Sequence, residues 1–230
     1  MHPSPFPLLR RICAGASLLL LAACATPPDG VDRYEDANRR HFALNQRLDR
    51  IFLEPAARGY SETVPGPAKA AVRNFASNVG LPGVVVNNVA QGDLPGAGRN
   101  SLRFVVNTVL GIAGIFDPAT PMGLAEKRTD FGTTLHVWGV GEGDFLVLPV
   151  MGPTTERDAA GRIVDLFTNP LKPLLPVGTR RAVGAFRFAD GVSRKRDAAL
   201  ARGLVIESYE DMRAGALARR RGQLGEGRSP

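Results

Sequence analysis

The stretch from Thr129 to Asp158 constrains the fold most, because three glycines alternate in the middle of it. A segment compatible with a short helix, Asp130 to Trp138, comes first, and an apolar run, Phe145 to Leu148, follows the glycines. Glycine adopts either sign of φ at little cost, so alternating glycines favour a hinge over an ordinary turn. The pattern predicts a mobile hairpin, Leu135 to Leu148, that faces lipid or ligand. Its hinge consists of Gly139, Gly141 and Gly143.

A second helix is expected directly after this hairpin, from Pro153 to Phe167. Proline is well suited to the first position of a helix, which places the predicted start at Pro153. Asp158, Arg162 and Asp165 stand at i, i+4 and i+7 and therefore share one face. From spacing alone, this face is a solvated surface.

The N-terminus has the features of a bacterial lipoprotein signal. Arg10 and Arg11 precede an apolar run that ends in Leu-Ala-Ala-Cys, with the cysteine at position 24. The run is far shorter than the roughly 20 residues that a membrane-spanning helix needs. We expect residues 1–23 to be a cleaved signal peptide and Cys24 to carry the lipid anchor, since stable anchoring takes at least two acyl chains. The alternative is an ordinary secretory signal with a coincidental cysteine.

Residues 24–31 then form a short lipid-anchored tether, and Ala25 after the cysteine is typical of export to the outer membrane. The second cysteine, Cys13, is lost with the signal peptide, so no disulfide is expected in the mature monomer. The chain has a net charge of +7, and 12 Lys/Arg against six Asp/Glu lie in residues 178–230. A basic C-terminal region is typical of proteins that bind nucleic acid. An exported protein does not encounter nucleic acid in the cytoplasm, so no nucleic-acid partner is expected.

Helical periodicity runs through most of the remaining chain. Residues 32–52 form an amphipathic pattern with Asp32 as the expected N-cap, and Glu54-Pro55 is expected to end that helix. A second helix is predicted from Pro67 to Val79, ending at Gly80. Residues 82–91 contain three consecutive valines, which favour a strand, but the flanking Pro82 and Gly92 favour a helix, and we expect a helix. Two further helices are predicted over residues 179–201 and 206–221, followed by a disordered tail at 222–230.

The most membrane-like segment is Phe104 to Phe116, which has no charged residue. It is too short to span a bilayer and fits either a buried core helix or one lying in the membrane plane. A lipid anchor at Cys24 favours the second. The side chains expected to face lipid are Phe104, Val105, Val109, Ile112, Phe116 and Trp138.

The residues that common enzyme classes need are not arranged in recognisable motifs. There is no Gly-x-Ser-x-Gly, and neither His41 nor His136 sits in a catalytic motif. No spacing suggests a metal site, and there is no phosphate-binding Gly-Lys-Ser/Thr loop. No catalytic residue, metal or cofactor is therefore expected. A lipid-cleaving enzyme and a purely structural envelope lipoprotein remain as alternatives.

Several separated motifs resemble the MlaA/VacJ family of outer-membrane lipoproteins. The central one reads Thr-Asp-Phe-Gly, then Trp-Gly-Val-Gly-x-Gly, then Leu-Pro-x-x-Gly-Pro-Thr-x-x-Arg-Asp within residues 129–158. Further motifs lie at Tyr34 to Arg39, at Asn74 to Asp93 and at Arg103 to Asp117. The resemblance covers about residues 32–221, which are expected to form one domain.

The resemblance implies an all-α fold, in which mostly amphipathic, membrane-interfacial helices form a ring around an amphipathic channel and carry a glycine-hinged hairpin. It implies removal of mislocalised phospholipid from the outer leaflet, which maintains lipid asymmetry without an enzymatic step. The implied partners are phospholipid, an outer-membrane porin trimer and an MlaC-like periplasmic lipid carrier. The family's Arg-Asp…Asp motif implies that Arg157, Asp158 and Asp165 meet headgroups in the channel. The basic helix 206–221 is expected to project into the periplasm and guide the carrier.

Overall fold

The computed structural model describes residues 32–201 and 208–225, except for the side chains of residues 195–201. The expected signal peptide, Cys24, the tether 24–31 and residues 226–230 lie outside the described residues. Within the described ranges the chain forms eight α-helices and one two-stranded hairpin. This confirms the all-α class, with the helices arranged as a ring.

The first helix, α1 (Glu35–Leu48), does not stop at Glu54-Pro55 as predicted. It runs through a π-helical turn (Asp49–Leu53) directly into α2 (Glu54–Thr63). Pro55 falls in the first turn of α2, directly after the π-helical turn that joins α2 to α1. Asp32 is not the N-cap either: the cap is Tyr34, and the Asp32 carboxylate accepts a hydrogen bond from the Tyr34 backbone N–H.

The two helices predicted on either side of Gly80 are one helix, α3 (Gly66–Ala90). Pro82 lies inside it. A proline inside a helix removes one backbone hydrogen bond and costs about 3 kcal/mol in isolation. The side chain of Asn169 binds the helix nearby, at the Val79 carbonyl three residues before the proline. The predicted helical state of residues 82–91 is confirmed, and the predicted end at Gly80 is wrong.

Helix α4 (Leu94–Val109) begins ten residues before the predicted uncharged helix and ends in the middle of it. The Asp93 carboxylate caps its start by accepting from the Gly96 N–H at 3.1 Å. Residues 110–116 form tight turns instead of helix, with φ values of 51° at Ile112, 56° at Ala113 and 91° at Gly114. A side chain at Gly114 would collide with Asn78, so the turn packs tightly on α3.

The central stretch folds as a short helix, a glycine loop and a hairpin. Helix α5 (Phe131–Val137) is capped by Asp130, whose carboxylate accepts from the Thr133 N–H at 2.7 Å. Strands β1 (Phe145–Leu148) and β2 (Gly152–Thr155) pair antiparallel. Pro153 was predicted to start a helix but lies in β2 opposite Val147. Helix α6 (Glu156–Thr168) begins three residues later with Thr155 as its cap.

A 3₁₀ turn (Lys172–Leu174) leads to α7 (Val177–Ala201), and α8 (Tyr209–Leu224) is the next element described. Residues 222–224 are helical, so α8 reaches into the region predicted to be disordered. It ends at Gly225, whose φ of 80° is the usual left-handed helix cap.

The apolar core is small and lies where α1, the β-hairpin and α8 meet. Phe145, Val147, Tyr209 and Met212 form its buried cluster. Most of the other buried positions in the described ranges carry polar side chains. Seven asparagines belong to this set: Asn38, Asn78, Asn87, Asn88, Asn100, Asn107 and Asn169.

Candidate functional site

A half-enclosed cavity of about 820 Å³ lies between α3, α5, α6, α7 and α8. On α3 it is bordered by Ala76, Gly80, Gly83 and Asn87, which stand one helical turn apart on a single face. Glycine and alanine leave this face of α3 nearly bare, and the cavity occupies the space. The remaining lining residues are Arg73, Ser77, Val84, Glu126, Arg128, Thr129, Asp130, Thr133, Asp165, Thr168, Asn169, Lys172, Phe186, Arg187, Asp190, Arg194, Arg220 and Gln223.

Asn169 supports α3 where Pro82 interrupts its hydrogen bonding. The Asn169 side-chain amide donates to the Val79 carbonyl at 2.7 Å. Its Cβ lies 3.1 Å from the position that a Cβ on Gly83 would occupy, so a larger residue at position 83 would have to push Asn169 away. The contact satisfies a buried backbone group beside the proline and fixes one end of the cavity.

A network of buried polar side chains joins α3 to α5 and α6 at the other end. The Asn87 amide donates to Asp165 Oδ1 at 2.9 Å, and Thr134 donates to Asn87 Oδ1 at 2.9 Å. Gln91 donates to Thr134 at 2.8 Å. The second oxygen of Asp165 accepts from the Phe131 N–H at the start of α5. Fully bonded networks of this kind hold one arrangement of helices in a low-dielectric interior.

Two ion-pair clusters sit at the edge of the cavity. Asp190 on α7 accepts from Arg73 on α3 at 2.7 Å and from Arg194 at 2.9 Å. The hydrogen-bonded Arg73 guanidinium lowers the pKa of Asp190 below its ordinary value, against the opposing effect of burial.

The second cluster is centred on Arg220 of α8. Its guanidinium bonds Asp158 at 2.7 and 2.9 Å and Asp130 at 2.9 and 3.2 Å. Burial is the largest single effect and would raise the pKa of Asp130, but the hydrogen bonds from Arg220 and Thr133, together with the Arg220 charge, lower the pKa below its ordinary value. Arg220 therefore links the starts of α5 and α6 to α8.

The glycine loop between α5 and β1 is tied to the start of α6. Gly139 and Gly143 have φ values of 84° and 72°, which favour glycine, whereas Gly141 is not in the left-handed region. The Arg157 N–H donates to the Glu142 carbonyl at 3.3 Å, and Arg157 Nη1 donates to the Val140 carbonyl at 3.3 Å. Arg221 of α8 pairs with the Glu142 carboxylate at 3.1 Å.

The outer surface has the opposite polarity to the interior. Large apolar side chains are exposed along α3, α4, the turns after α4, α5 and α6. We call this surface the apolar belt. It comprises Val86, Val89, Leu94, Leu102, Val105, Val109, Leu110, Ile112, Phe116, Val137, Trp138, Ile163, Leu166 and Phe167.

The residues predicted to face lipid fall on this belt with one partial exception. Val105, Val109, Ile112, Phe116 and Trp138 are exposed, and Phe104 is half-buried. Trp138 packs edge-on against Phe131 and donates its indole N–H to the Ala90 carbonyl at 2.9 Å. The tryptophan is thereby fixed to α3 with its ring partly outside.

The three residues predicted to meet headgroups are not equivalent. Asp165 lines the cavity. Arg157 and Asp158 are buried, with exposures of 4% and 8%, and lie outside the cavity lining. Asp158 acts on the cavity only through Arg220, and Arg157 holds the glycine loop.

The expected carrier-binding helix packs on the body of the protein instead of projecting. Tyr209 and Met212 of α8 are buried, and Arg220 and Arg221 bond to Asp130, Asp158 and Glu142. The basic pattern of 206–221 predicts that this helix guides a partner. Two of its three consecutive arginines, Arg220 and Arg221, instead form ion pairs with carboxylates of the same domain.

Sequence reasoning missed the cavity face of α3 and the clusters around Asp190 and Arg220. The signal for α3 was present: small or polar residues recur at 76, 80, 83 and 87 with helical spacing. This spacing is split between two segments when Gly80 is taken as the end of a helix. No local signal pairs Asp130 with Arg220, which lie 90 positions apart.

The described residues contain no group of three or more His, Cys, Asp or Glu side chains placed to hold a metal ion. Neither His41 nor His136 lines the cavity. Among residues 32–201 and 208–225, no helix combines the length and apolar character needed to cross a membrane.

Comparison with known proteins agrees with this architecture. The sequence model of the MlaA lipoprotein family matches residues 30–223. The chain belongs to this family. An uncharacterized protein of Rickettsia bellii (strain RML369-C) is 43% identical over 145 residues, which are 63% of this chain and 56% of that protein.

The MlaA family members with assigned roles are more distant. The intermembrane phospholipid transport system lipoprotein MlaA of Escherichia coli (strain K12) is 35% identical over 165 residues, 69% of this chain and 66% of that protein. Its counterpart in Haemophilus influenzae is 35% identical over 160 residues, 65% of this chain and 63% of that protein. The chain thus matches between about half and two thirds of the length of these curated relatives.

A solved structure, reported as the structural basis for maintenance of bacterial outer membrane lipid asymmetry, has the same fold. Its TM-score is 0.73 at 29% sequence identity, over 84% of this chain and 99% of that chain. The MlaA ring therefore extends over most of the chain.

Proposed function

We propose that this protein is an outer-membrane lipoprotein that removes mislocalised phospholipids from the outer leaflet through its polar cavity. The lipid then passes to an MlaC-like periplasmic carrier, and the asymmetry of the outer membrane is maintained. A porin trimer is the proposed neighbour in the membrane. Moving a lipid breaks no covalent bond, so the proposed activity is transport and not catalysis.

The observation that carries the proposal is the inverted polarity of the fold. Buried asparagines and charged groups surround the cavity, while large apolar side chains cover the outside. Soluble monomers rarely expose many large apolar side chains together, because contact with water is unfavourable. In a bilayer the same surface contacts acyl chains, which is favourable. The polar interior is then shielded from the hydrocarbon. The arrangement supports a ring of helices embedded in the membrane plane.

The cavity solves the main energetic problem of lipid movement. A charged headgroup crosses hydrocarbon only at a cost of many kcal/mol, because its hydration is lost. Charged and polar groups on the wall replace that hydration: Arg73, Asp165 and Arg187 are examples. Acyl chains remain in contact with the apolar belt while the headgroup moves along the cavity.

The glycine loop is the proposed gate toward the outer leaflet. Gly139, Gly141 and Gly143 let the segment Leu135 to Leu148 change position, although the hairpin itself lies at Phe145 to Thr155 and not at Leu135 to Leu148 as predicted, and Trp138 marks the membrane edge of the segment. Anchoring through Cys24 holds the ring on the membrane, because two or more acyl chains give stable attachment.

The experiment is to block the cavity and count phospholipid on the cell surface. Val84→Trp places a bulky ring on the cavity face of α3. Val86→Trp, two residues along the same helix, places the same ring on the exposed apolar belt and is the matched control. Each variant is expressed in cells lacking the native protein, and outer-leaflet phospholipid is measured with an externally added phospholipase.

Cells with Val84→Trp should accumulate outer-leaflet phospholipid as the deletion strain does, and Val86→Trp should restore the normal level. Equal complementation by both variants at equal protein levels would contradict transport through the cavity. A deletion strain with normal surface phospholipid would contradict the proposed function as a whole.

A further inference from the structure

The charges that line the cavity do not cancel. Six cationic residues and four carboxylates border it, which leaves an excess of two positive charges. Most cations have a carboxylate partner: Asp190 takes Arg73 and Arg194, Asp130 takes Arg220, and Glu126 takes Arg128 at 3.5 Å. Two lining cations, Arg187 and Lys172, have no carboxylate partner among the described residues.

Arg187 is the first of these. Its side chain lines the cavity and has no hydrogen bond or ion pair to any residue of the described ranges. It is exposed on α7, one turn before the paired Asp190. Its Nη1 lies 3.7 Å from the position that a Cβ on Gly80 would occupy. The guanidinium thus lies across the bare face of α3, and none of its donors is bonded to a group that the structure describes.

Lys172 is the second. Its ammonium donates to the backbone carbonyl of Asp165 at 3.3 Å and forms no ion pair within the described residues. It follows Asn169, which packs on Gly83, one turn along α3 from Gly80. The carboxylate of Asp165 is already used by Asn87 and by the Phe131 N–H. Because the Lys172 ammonium uses only one donor toward the residues that the structure describes, on a neutral backbone carbonyl, its other donors are available to an anion.

We infer that Arg187 and Lys172 form a phosphate-binding subsite over the bare Gly80–Gly83 face of α3, which holds the phosphodiester of a phospholipid. This inference rests on the proposed function and specifies which part of the lipid is recognised. A guanidinium offers several N–H donors in a fixed plane and an ammonium adds a compact charge, a combination that suits phosphate oxygens.

The subsite favours the chemical group that all glycerophospholipids share. Because the pair contacts the phosphate and not the group attached to it, zwitterionic and anionic lipids both bind. The nearby carboxylates of Asp165 and Asp190 are engaged by protein donors, so neither has to be desolvated when the phosphate enters. A lipid without phosphate gains nothing from the site.

The test uses the full-length protein in non-ionic detergent and isothermal titration calorimetry with water-soluble probes. Dihexanoylphosphatidylcholine carries the phosphodiester, dihexanoylglycerol lacks it, and inorganic phosphate is the free anion. The variant is the double substitution Arg187→Gln and Lys172→Gln. The control is Arg181→Gln, which removes one charge from the exposed, non-lining side of the same helix.

The double variant should bind the phosphatidylcholine more weakly, by about tenfold for each charged hydrogen-bonding partner removed. Its binding of dihexanoylglycerol should not change, and Arg181→Gln should behave as wild type. Arg187→Lys should recover part of the loss, which a merely misfolded variant would not do.

Three results would overturn the inference, and they differ from one another. If the double variant loses no more affinity for phosphatidylcholine than Arg181→Gln does, the subsite is refuted but the proposed transport is not. Inorganic phosphate that binds as tightly as the lipid would make this a free-anion site. Wild-type protein that binds neither lipid would refute the proposed function together with the subsite.

Discussion

The three glycines of the loop should respond differently to alanine, because their backbone conformations differ. An L-amino acid in the left-handed region is disfavoured by roughly 1–2 kcal/mol. Gly139→Ala should cost about this much, since its φ is 84° and no atom lies within 4 Å of an added Cβ. Gly141→Ala carries no such penalty, because its φ is outside that region.

Gly143→Ala should be the most destabilising of the three. Its φ is 72°, and an added Cβ would lie 2.7 Å from Glu156 Oε2 and 2.8 Å from Glu156 Cβ. Moving Glu156 breaks its hydrogen bond from the Asp144 N–H at 3.2 Å. Overpacking typically costs about 1–3 kcal/mol, so the total is roughly 2–5 kcal/mol when the backbone strain is included.

The assay is thermal unfolding of the full-length protein in non-ionic detergent, followed by circular dichroism. For a protein of this size, each kcal/mol lowers Tm by roughly 2–4 °C. Gly59→Ala is the control, because this helical glycine on α2 has no atom within 4 Å of an added Cβ. Alanine is the better helix former by about 1 kcal/mol, so the control should raise Tm.

The expected order of Tm is Gly59→Ala, wild type together with Gly141→Ala, Gly139→Ala and then Gly143→Ala. Equal Tm for Gly139→Ala and Gly143→Ala would show that Glu156 moves away freely and does not hold the loop. If both variants have the same Tm as the wild type, the loop does not keep its left-handed conformation in solution. The proposed gating would then lose its structural basis.

Three other predictions concern the anchor and the ion pairs. Cys24→Ser should leave unprocessed precursor, visible as a larger species on immunoblots; normal processing would contradict the lipoprotein signal. Arg220→Gln should lower Tm by an amount equivalent to about 2–4 kcal/mol, because buried Asp158 loses its two short bonds to Arg220 and, within the described ranges, keeps only the longer 3.6 Å contact with Arg157; an Arg219→Gln control should not. Asp190 has a lowered pKa, so its stabilising effect is complete above 3.8 and is lost as the pH falls further. The Tm difference between wild type and Asp190→Asn should therefore shrink below pH 3.8, and a constant difference would contradict that assignment.

Local patterns were enough to predict the short helix of the central stretch, expected over Asp130 to Trp138 and present as Phe131–Val137. The exposure of Val105, Val109 and Phe116 also follows from composition and a membrane location. These features depend on neighbours in sequence, which periodicity reports directly. The predicted hairpin Leu135 to Leu148 is wrong, because the apolar run Phe145 to Leu148 pairs with Gly152–Thr155 after it.

Proline and glycine were the main source of wrong boundaries, because tertiary contacts overrode their usual effects. Pro82 lies inside α3, where the Asn169 amide binds a nearby carbonyl. Pro153 lies in the short strand β2, where its missing N–H is tolerated, instead of starting a helix. Ile112 adopts a positive φ that β-branched residues avoid, inside a segment whose composition suggested a helix.

The cavity could not be predicted for a different reason. Its wall combines residues from α3, α7 and α8, and the relevant property of α3 is the absence of side chains at Gly80 and Gly83. A pattern search for hydrophobic or charged periodicity does not register missing side chains. The free charge on Arg187 likewise depends on which neighbours are already paired.

The arginine that joins α8 to α5 and α6 also has a consequence for the order of assembly. Arg220 contacts positions 62 and 90 residues earlier in the chain, and contacts of such long range form late because the intervening chain must first be ordered. Helix pairs that are adjacent in sequence, such as α3 with α4 and α5 with α6, are expected to form earlier. A half-assembled chain would then present the apolar belt and an open row of asparagines at once. Such an intermediate is prone to aggregate. If the ring is embedded in a membrane as proposed, its insertion and its closure need to be nearly simultaneous.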